Sequence, residues 1–121
     1  MMGKKTMRGP THALLFLLVF YSSGDAAERM RFLNKTAATI TELRLAPAGT
    51  ENWGPNQTEN DSDRAVDADE GLNLKGVAPG HYDVKIADKS GRACVVSDVN
   101  VQGGHPYAFS ISEAELKDCK K

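Results

Sequence analysis

The sequence alternates apolar and polar residues at every second position over most of its length beyond residue 30, and this periodicity restricts the fold more than any other feature. The segment HYDVKIAD, residues 81–88, shows it most clearly, because Tyr82, Val84 and Ile86 are separated by polar residues. Successive side chains of a β-strand point to opposite faces of a sheet. The pattern therefore predicts strands with one face buried and the other exposed.

Further segments have the same alternating character: MRFLNKT at 30–36, ATITELRL at 38–45, the pair Leu72 and Leu74, GRACVVSDVNV at 91–101 and PYAFSIS at 106–112. In ATITELRL the apolar residues change parity between Ile40 and Leu43. In GRACVVSDVNV they change parity around Ser97 and Asp98, which indicates a β-bulge or a kink there.

Short clusters of Pro and Gly separate these segments, at residues 46–49, 78–80, 88–91 and 102–104. Pro fixes φ and Gly permits positive φ, so each cluster favours a turn. Their spacing predicts about six or seven short strands within residues 27–121, the size of an immunoglobulin-like or transthyretin-like sandwich. We therefore expect an all-β chain that folds as a single small antiparallel β-sandwich.

The first 26 residues have the composition of a secretory signal peptide. A basic head with Lys4, Lys5 and Arg8 precedes an apolar run at 13–21, and small residues follow up to Ala26. The apolar run is about nine residues long, whereas a membrane-spanning helix needs roughly 20. We therefore expect cleavage after Ala26, no permanent membrane anchor, and a periplasmic or secreted domain.

The charge of the exported part argues against nucleic acid as a partner. Residues 1–26 contain three basic residues and one acidic residue, so 15 Lys+Arg and 16 Asp+Glu in the whole chain become 12 and 15 in residues 27–121. Binding to nucleic acid or to anionic lipid requires clustered Lys and Arg. A mildly acidic chain gives no electrostatic basis for either.

Two cysteines, Cys94 and Cys119, remain in the exported part. An even number of cysteines in a small exported domain favours a disulfide bond. Closing a loop of this length would stabilise the fold by roughly 3 kcal/mol. A zinc site that also uses His81 and His105 is the alternative, but structural zinc ligands come in closely spaced pairs and these four residues do not.

The last ten residues, 112–121, differ in character from the strands before them. Ser112 and Glu115 have the spacing of a capping box, and three lysines follow, as at a helix C-terminus. The sequence predicts a short C-terminal helix, which the disulfide bond at Cys119 would hold against the strand that carries Cys94.

Residues 46–70 form a long polar segment without periodicity, and this segment contains Trp53, the single tryptophan. Loops longer than about 12 to 15 residues are uncommon in compact domains unless they are functional or disordered. A buried indole would anchor the loop to the domain, with the turn Gly-Pro-Asn that ends at Asn56 beside it. Alternatively, Trp53 and Asn56 belong to an exposed binding loop with an aromatic platform for a sugar or a peptide.

The acidic residues of this segment are spaced closely enough to suggest a calcium loop, because Ca²⁺ takes six to eight oxygen ligands. The five candidate ligands are Asp61, Asp63, Asp67, Asp69 and Glu70. The segment departs from the EF-hand pattern, since Arg64 stands at a ligand position and the central glycine is missing. A solvated acidic loop is the simpler interpretation.

Asn34, Asn56 and Asn60 each begin an Asn-x-Thr/Ser triplet, which is the acceptor pattern for N-glycosylation. This modification would require a eukaryotic secretory pathway.

The residues 34–56 and 76–101 contain a set of short motifs in a fixed order: N-x-T, a strand with Ile, P-x-G, W-G, then P-G-x-Y-D and D-x-x-G. In these motifs the chain resembles a family of small secreted bacterial proteins, mostly from proteobacteria. The resemblance implies a periplasmic β-sandwich domain, and it implies no activity. The segment GVAPGHYDVKIAD is also similar to a hairpin of transthyretin-like and carboxypeptidase-regulatory domains, which are non-catalytic accessory modules.

Catalytic motifs are not evident in the sequence. The two histidines of residues 27–121, His81 and His105, each flank a turn, and no nucleophile motif or paired carboxylates accompany them. We expect a non-catalytic module without a cofactor that presents residues 46–70 to a periplasmic protein, peptide or glycan. The alternative is a calcium-binding or calcium-stabilised protein that uses residues 61–70.

Overall fold

The computed structural model of the protein describes residues 29–120. The predicted signal peptide, residues 1–26, lies outside the described part of the chain. Seven strands are present in that part: β1 Arg31–Lys35, β2 Ile40–Pro47, β3 Gly71–Asn73, β4 Gly80–Asp88, β5 Ala93–Val101, β6 Phe109–Ser112 and β7 Cys119–Lys120. Two 3-10 turns, Gln57–Asn60 and Glu113–Glu115, accompany them. The predicted all-β class is confirmed.

The strands form two sheets. The small sheet has the order β3-β1-β6, and the large sheet has the order β2-β4-β5-β7. Strands β1 and β6 run parallel, with Phe32 opposite Phe109, whereas the other strand pairs of residues 29–120 are antiparallel. Parallel pairing needs a long crossover connection, and here nearly the whole domain connects the two strands.

Residues from both sheets form one hydrophobic cluster. Its members are Met30, Phe32, Ile40, Leu43, Leu45, Val66, Leu72, Leu74, Val84, Ile86, Val101, Ala108, Phe109 and Ile111. The rings of Phe32 and Phe109 lie 5.0 Å apart between centroids. Full burial of one such side chain is worth about 1.5 to 3 kcal/mol, so this cluster is the main source of stability.

Both changes of parity in the sequence correspond to irregularities of the large sheet. The register of β2 against β4 shifts between Ile40 and Glu42. The register of β4 against β5 shifts between Tyr82 and Val84. At the second site, Asp98 has a φ of 56° and its amide donates to the Asp83 carboxylate at 3.0 Å. The predicted bulge near Asp98 is confirmed.

The predicted disulfide bond between Cys94 and Cys119 is confirmed. The two residues are direct cross-strand partners on β5 and β7. The amide of Val95 also donates to the carbonyl of Asp118 at 3.0 Å. The bond and the backbone contact together fix the end of the described chain to the large sheet.

The predicted C-terminal helix at 112–121 is not confirmed. The capping box of Ser112 and Glu115 is present, but it begins a single 3-10 turn, Glu113–Glu115. The chain then becomes extended and forms β7. One turn is too short to be stable as an isolated helix, and pairing of Cys119 with Cys94 on β5 requires an extended backbone.

A buried carboxylate organises the turn between β4 and β5. Asp88 accepts hydrogen bonds from the backbone amides of Ser90 and Arg92, from the Ser90 hydroxyl and from Arg92 Nε. Burial by itself raises the pKa of Asp88, but the hydrogen bonds from Ser90 and Arg92 outweigh it, so the pKa is lowered.

Arg92 continues this network to the opposite end of the chain. Its guanidinium also binds Glu113, and Glu113 Oε1 accepts from the backbone amide of Ala37 at 2.9 Å. The hydrogen bonds from Arg92 and then from Ala37 lower the pKa of Glu113. The network therefore joins the β4–β5 turn, the β1–β2 turn and the segment after β6.

Asn34 is fully buried and holds the β1–β2 turn against the end of the long loop. Its amide nitrogen donates to the carbonyls of Ala38 and Val66 at 2.9 Å. Its oxygen accepts from the amide and the hydroxyl of Thr36. The first Asn-x-Thr triplet is therefore a buried structural clamp.

Candidate functional site

The long polar loop runs along the edge of β2. The amide of Leu43 donates to Asn56 Oδ1 at 2.9 Å, and Asn56 Nδ2 donates to the carbonyl of Thr41 at 3.2 Å. The amide of Gly54 donates to the carbonyl of Leu45 at 2.9 Å. An uncovered edge strand presents unpaired backbone groups to other chains. The loop satisfies these groups and shields the edge.

The same loop also contacts the small sheet. In the 3-10 turn, Gln57 exchanges two hydrogen bonds with the backbone of Lys75, at 3.0 and 2.9 Å. Asn60 Nδ2 donates to the carbonyl of Asn73 at 2.9 Å. Because β3 ends at Asn73, the loop joins the edge of the large sheet to the edge of the small sheet. The loop is thus a structural connector along this side of the domain.

Asn56, predicted to belong to the binding loop, lies inside these contacts. Its oxygen accepts from the amide and hydroxyl of Thr58 as well as from Leu43. The second Asn-x-Thr triplet therefore repeats the clamp formed by Asn34 and Thr36. The described contacts of Asn56 serve the conformation of the loop.

Trp53 lies over the large sheet and is half-buried. The ammonium group of Lys85 is 4.7 Å from the centre of its ring, a cation–π geometry. Arg44 Nη1 donates to the carbonyl of Gly54 at 3.0 Å and fixes the adjacent backbone. Trp53 thus both contacts the sheet, as an anchor would, and keeps part of its indole accessible, as a platform would.

The strand register brings two rows of side chains together on the outer face of the large sheet. The first row, from β2 to β5, is Arg44, Lys85 and Val95. The second row, from β2 to β7, is Glu42, Ala87, Ala93 and Lys120. Directly opposed residues of neighbouring strands share a face. The small side chains in the middle of the second row leave a depression between the lysines.

A cleft of about 420 Å³ occupies this depression. We call it the β4–β5–β7 cleft; its lining residues are Lys85, Ala93, Cys94, Val95, Asp118 and Lys120. Ala93 and Val95 provide an apolar floor, and the polar groups stand around it. Lys85, which also covers the Trp53 ring, forms the wall towards the long loop. Ligand sites commonly combine an apolar concave surface with a few polar groups.

The charged groups near the cleft differ in how they are paired. Arg44 Nε binds Glu42 Oε2 at 2.5 Å, so these two charges neutralise each other. Lys85 and Lys120 enter the cleft from β4 and β7, on either side of β5, with Asp118 beside Lys120. The lining therefore carries two ammonium groups and one carboxylate.

The five candidate calcium ligands are placed along the loop with different partners. Asp61 accepts from the amide of Asp63, and Glu70 accepts from the amide of Asp67. Asp69 lies 3.9 Å from the Lys35 ammonium. No group of three or more His, Cys, Asp or Glu side chains in the residues 29–120 converges as a metal site would. The calcium site stays a prediction, and the geometry does not supply a ligand cage.

The two histidines of residues 29–120 lie in turn and bulge regions. His81 Nδ1 is 2.9 Å from Asp98 Oδ1, and both side chains are exposed. This pair braces the β5 bulge, where Asp83 also binds the amide of Asp98. His105 is exposed between β5 and β6.

Sequence reasoning identified Trp53 but missed the other side chains of the site. Lys85 stands on the polar side of HYDVKIAD, which marks it as outward-facing. Ala93 is exposed in a strand, and its small side chain leaves room for a ligand to approach the sheet. Only the register of β4, β5 and β7 brings Lys85 and Lys120 to one cleft.

Comparisons with known proteins add no relative to this description. No protein-family model matches the chain, and no curated protein or solved structure shows significant similarity to it.

Proposed function

We propose that this chain is an exported, non-catalytic binding module whose ligand occupies the β4–β5–β7 cleft beside Trp53. One observation carries the proposal: the Lys85 ammonium lies 4.7 Å from the Trp53 ring at the wall of an open cleft of about 420 Å³. An amphipathic aromatic ring next to a concave surface with an apolar floor is typical of recognition sites. The loop that presents the indole is held in place by its contacts with β2 and β3.

Export of the module to the periplasm is part of the proposal. The Cys94–Cys119 bond supports it, because stable disulfide bonds form in oxidising compartments. The basic head and short apolar run at residues 1–26 support it independently. No helix within residues 29–120 is long and apolar enough to cross a membrane.

We also propose that the two sheets form a β-sandwich, as expected for the family of small secreted bacterial proteins that the motifs resemble. The single hydrophobic cluster with residues from both sheets supports this arrangement. In such a domain a rigid scaffold presents loops and sheet faces for recognition.

Blocking the cleft tests the function. Ala93 is exposed and lines the cleft, so Ala93→Tyr would fill the cleft with a bulky side chain that adds no charge and does not disturb the core. The native protein and the variant are applied to arrays of glycans and peptides. We expect ligands that bind the native protein and that Ala93→Tyr fails to bind.

Ser110→Tyr is the matched control, because Ser110 is an exposed strand residue on the small sheet. The control should retain every ligand, and both variants should keep the native melting temperature. A native ligand that Ala93→Tyr binds with unchanged affinity would place binding elsewhere and refute the proposed site.

A further inference from the structure

The polar groups of the β4–β5–β7 cleft select for a particular charge. Lys85 and Lys120 stand on opposite sides of β5 and both line the cleft, whereas Asp118 is the single acidic residue among the described residues that line it. Residues 27–121 contain 12 Lys+Arg and 15 Asp+Glu. The positive charge of the cleft is therefore opposite in sign to the net charge of this part of the chain. Charge complementarity therefore favours a ligand with an anionic group that reaches both lysines.

The remaining groups of the site restrict the ligand further. Trp53, beside the cleft, offers a rigid aromatic surface with part of its area exposed, and such a surface packs on the apolar C–H face of a saturated ring. Asp118 is an acceptor for hydroxyl groups, and a carboxylate makes strong hydrogen bonds to such donors. Ammonium donors and a carboxylate acceptor in the cleft, with an aromatic ring beside it, together match a ring that bears both hydroxyls and a carboxylate.

We infer that the cleft binds an acidic saccharide, with a sugar carboxylate between Lys85 and Lys120. A sugar hydroxyl donates to Asp118, and a neighbouring ring packs against Trp53. This inference rests on the proposed binding function and names its ligand class.

The position of the cleft favours a saccharide over an acidic peptide. An extended peptide gains most of its affinity by adding a strand to a sheet edge. The cleft opens on the outer face of the large sheet, where the backbone groups of β4 and β5 are paired with each other. The edge of β2 nearest to Trp53 is covered by the loop.

Fluorescence titration tests the inference, because Trp53 is the only tryptophan of the chain. The probes are tetragalacturonic acid and the same tetrasaccharide with its carboxylates reduced to alcohols. We expect the acid to change the Trp53 emission in a saturable manner. The reduced sugar should bind more weakly by about tenfold or more, which corresponds to about 1.4 kcal/mol.

Lysine variants locate the carboxylate. Lys85→Gln and Lys120→Gln should each weaken binding of the acid by about tenfold, or about 1.4 kcal/mol, and should reduce its salt dependence. Lys75→Gln is the matched control, since the Lys75 side chain is exposed beyond β3, outside the cleft. Its affinity should equal that of the native protein.

Three results would overturn the inference: no saturable response to the acid, equal affinity for the reduced sugar, or hexaglutamate binding at least as tightly as the acid. The array experiment distinguishes these failures from failure of the proposed function. Ligands of another class that Ala93→Tyr loses would leave the binding site intact and refute only its preference for acidic sugars.

Discussion

The side-chain oxygen of Asn56 accepts a hydrogen bond from the backbone amide of Leu43 at 2.9 Å, and this contact fixes the long polar loop to the edge of β2. The side-chain nitrogen of Asn56, Nδ2, donates to the Thr41 carbonyl, so one side chain replaces part of a neighbouring strand. A loop of this length is ordered because it completes the hydrogen bonding of a sheet edge. Trp53 is carried on it to the outer face of the large sheet.

Removal of the Asn56 amide should destabilise the domain. In Asn56→Ala the Leu43 amide loses its partner, and an unsatisfied buried group costs about 1 to 3 kcal/mol. We expect a loss of about 1 to 3 kcal/mol in urea unfolding, together with a greater tendency to aggregate through the freed β2 edge. Asn52→Ala, an exposed neighbour, should stay within about 0.5 kcal/mol of the native value. Equal stability of the two variants would contradict the edge role.

Stability should fall in acid through the Asp88 network. The folded-state pKa of Asp88 lies below its ordinary value, so its contribution is complete at neutral pH. The contribution is lost as pH drops below about 4, the range of an unfolded aspartate, towards the lowered pKa. Urea midpoints between about pH 7 and pH 3 should decline more steeply for the native protein than for Asp88→Asn.

Asp63→Asn is the control for this pH series, since Asp63 is exposed. Its midpoints should follow the native curve. A constant difference between the native protein and Asp88→Asn at every pH would show that the carboxylate does not carry the acid sensitivity.

Loss of the disulfide bond should lower stability and loosen the end of the chain. Cys94 and Cys119 are 25 residues apart, and closure of such a loop contributes about 3 kcal/mol. We expect this loss in the double variant Cys94→Ala/Cys119→Ala. The amide of Val95, which donates to Asp118, should exchange its hydrogen faster. Unchanged exchange at Val95 would mean that β7 pairs without the bond.

A side chain at Gly71 should disturb the stacking of Arg31 on Tyr107. The Arg31 guanidinium lies 4.8 Å from the Tyr107 ring centre. A Cβ at Gly71 would stand 2.5 Å from Arg31 Nη2 and 3.0 Å from Tyr107 Cε1. Gly71→Ala should cost about 1 kcal/mol, measured by urea unfolding. In the Arg31→Ala background the cost should shrink, and additive effects would contradict the contact.

Calcium should leave the melting temperature unchanged. Asp61 and Glu70 already accept backbone hydrogen bonds, and Asp69 lies near Lys35, so binding would have to rearrange the loop. A one-site ligand at 100 times its dissociation constant would add about 2.7 kcal/mol. Thermal melting with calcium and then with a chelator checks this. A reversible increase in the melting temperature would support the calcium loop predicted from the sequence.

Much of the secondary structure could be predicted because its causes are local. Alternation along HYDVKIAD places Val84 and Ile86 in the core, and the structure confirms both as buried. The parity changes locate the two register shifts, since a bulge reverses the side to which later residues point. The C-terminal helix could not be excluded in this way, because its capping box is present but the pairing of Cys119 with β5 ends it.

The candidate site could be predicted only in part. The single tryptophan of the long loop drew attention to Trp53, and its half-buried position agrees with a partly accessible ring. Asn is a common turn residue, so the sequence indicates only a turn at Asn56. Its structural role depends on contacts with Thr41 and Leu43, which are distant from it in the sequence. The place of Lys120 in the site could not be predicted, because Ala93, its cross-strand partner on β5, is distant from it in the sequence.

The sequence by itself determined which segments become strands β1 to β6, which of their sides faces the core, where the strands are irregular and which cysteines pair. Each of these follows from period-two alternation, from turn residues or from the number of cysteines. Only the tertiary structure decided the parallel pairing of β1 with β6, the course of the long loop and the presence of Lys85 and Lys120 in the lining of one cleft. The alternation of apolar and polar residues predicts the face of the sheet to which a side chain points. It does not predict which strands pair, because strand pairing depends on the packing of the whole domain.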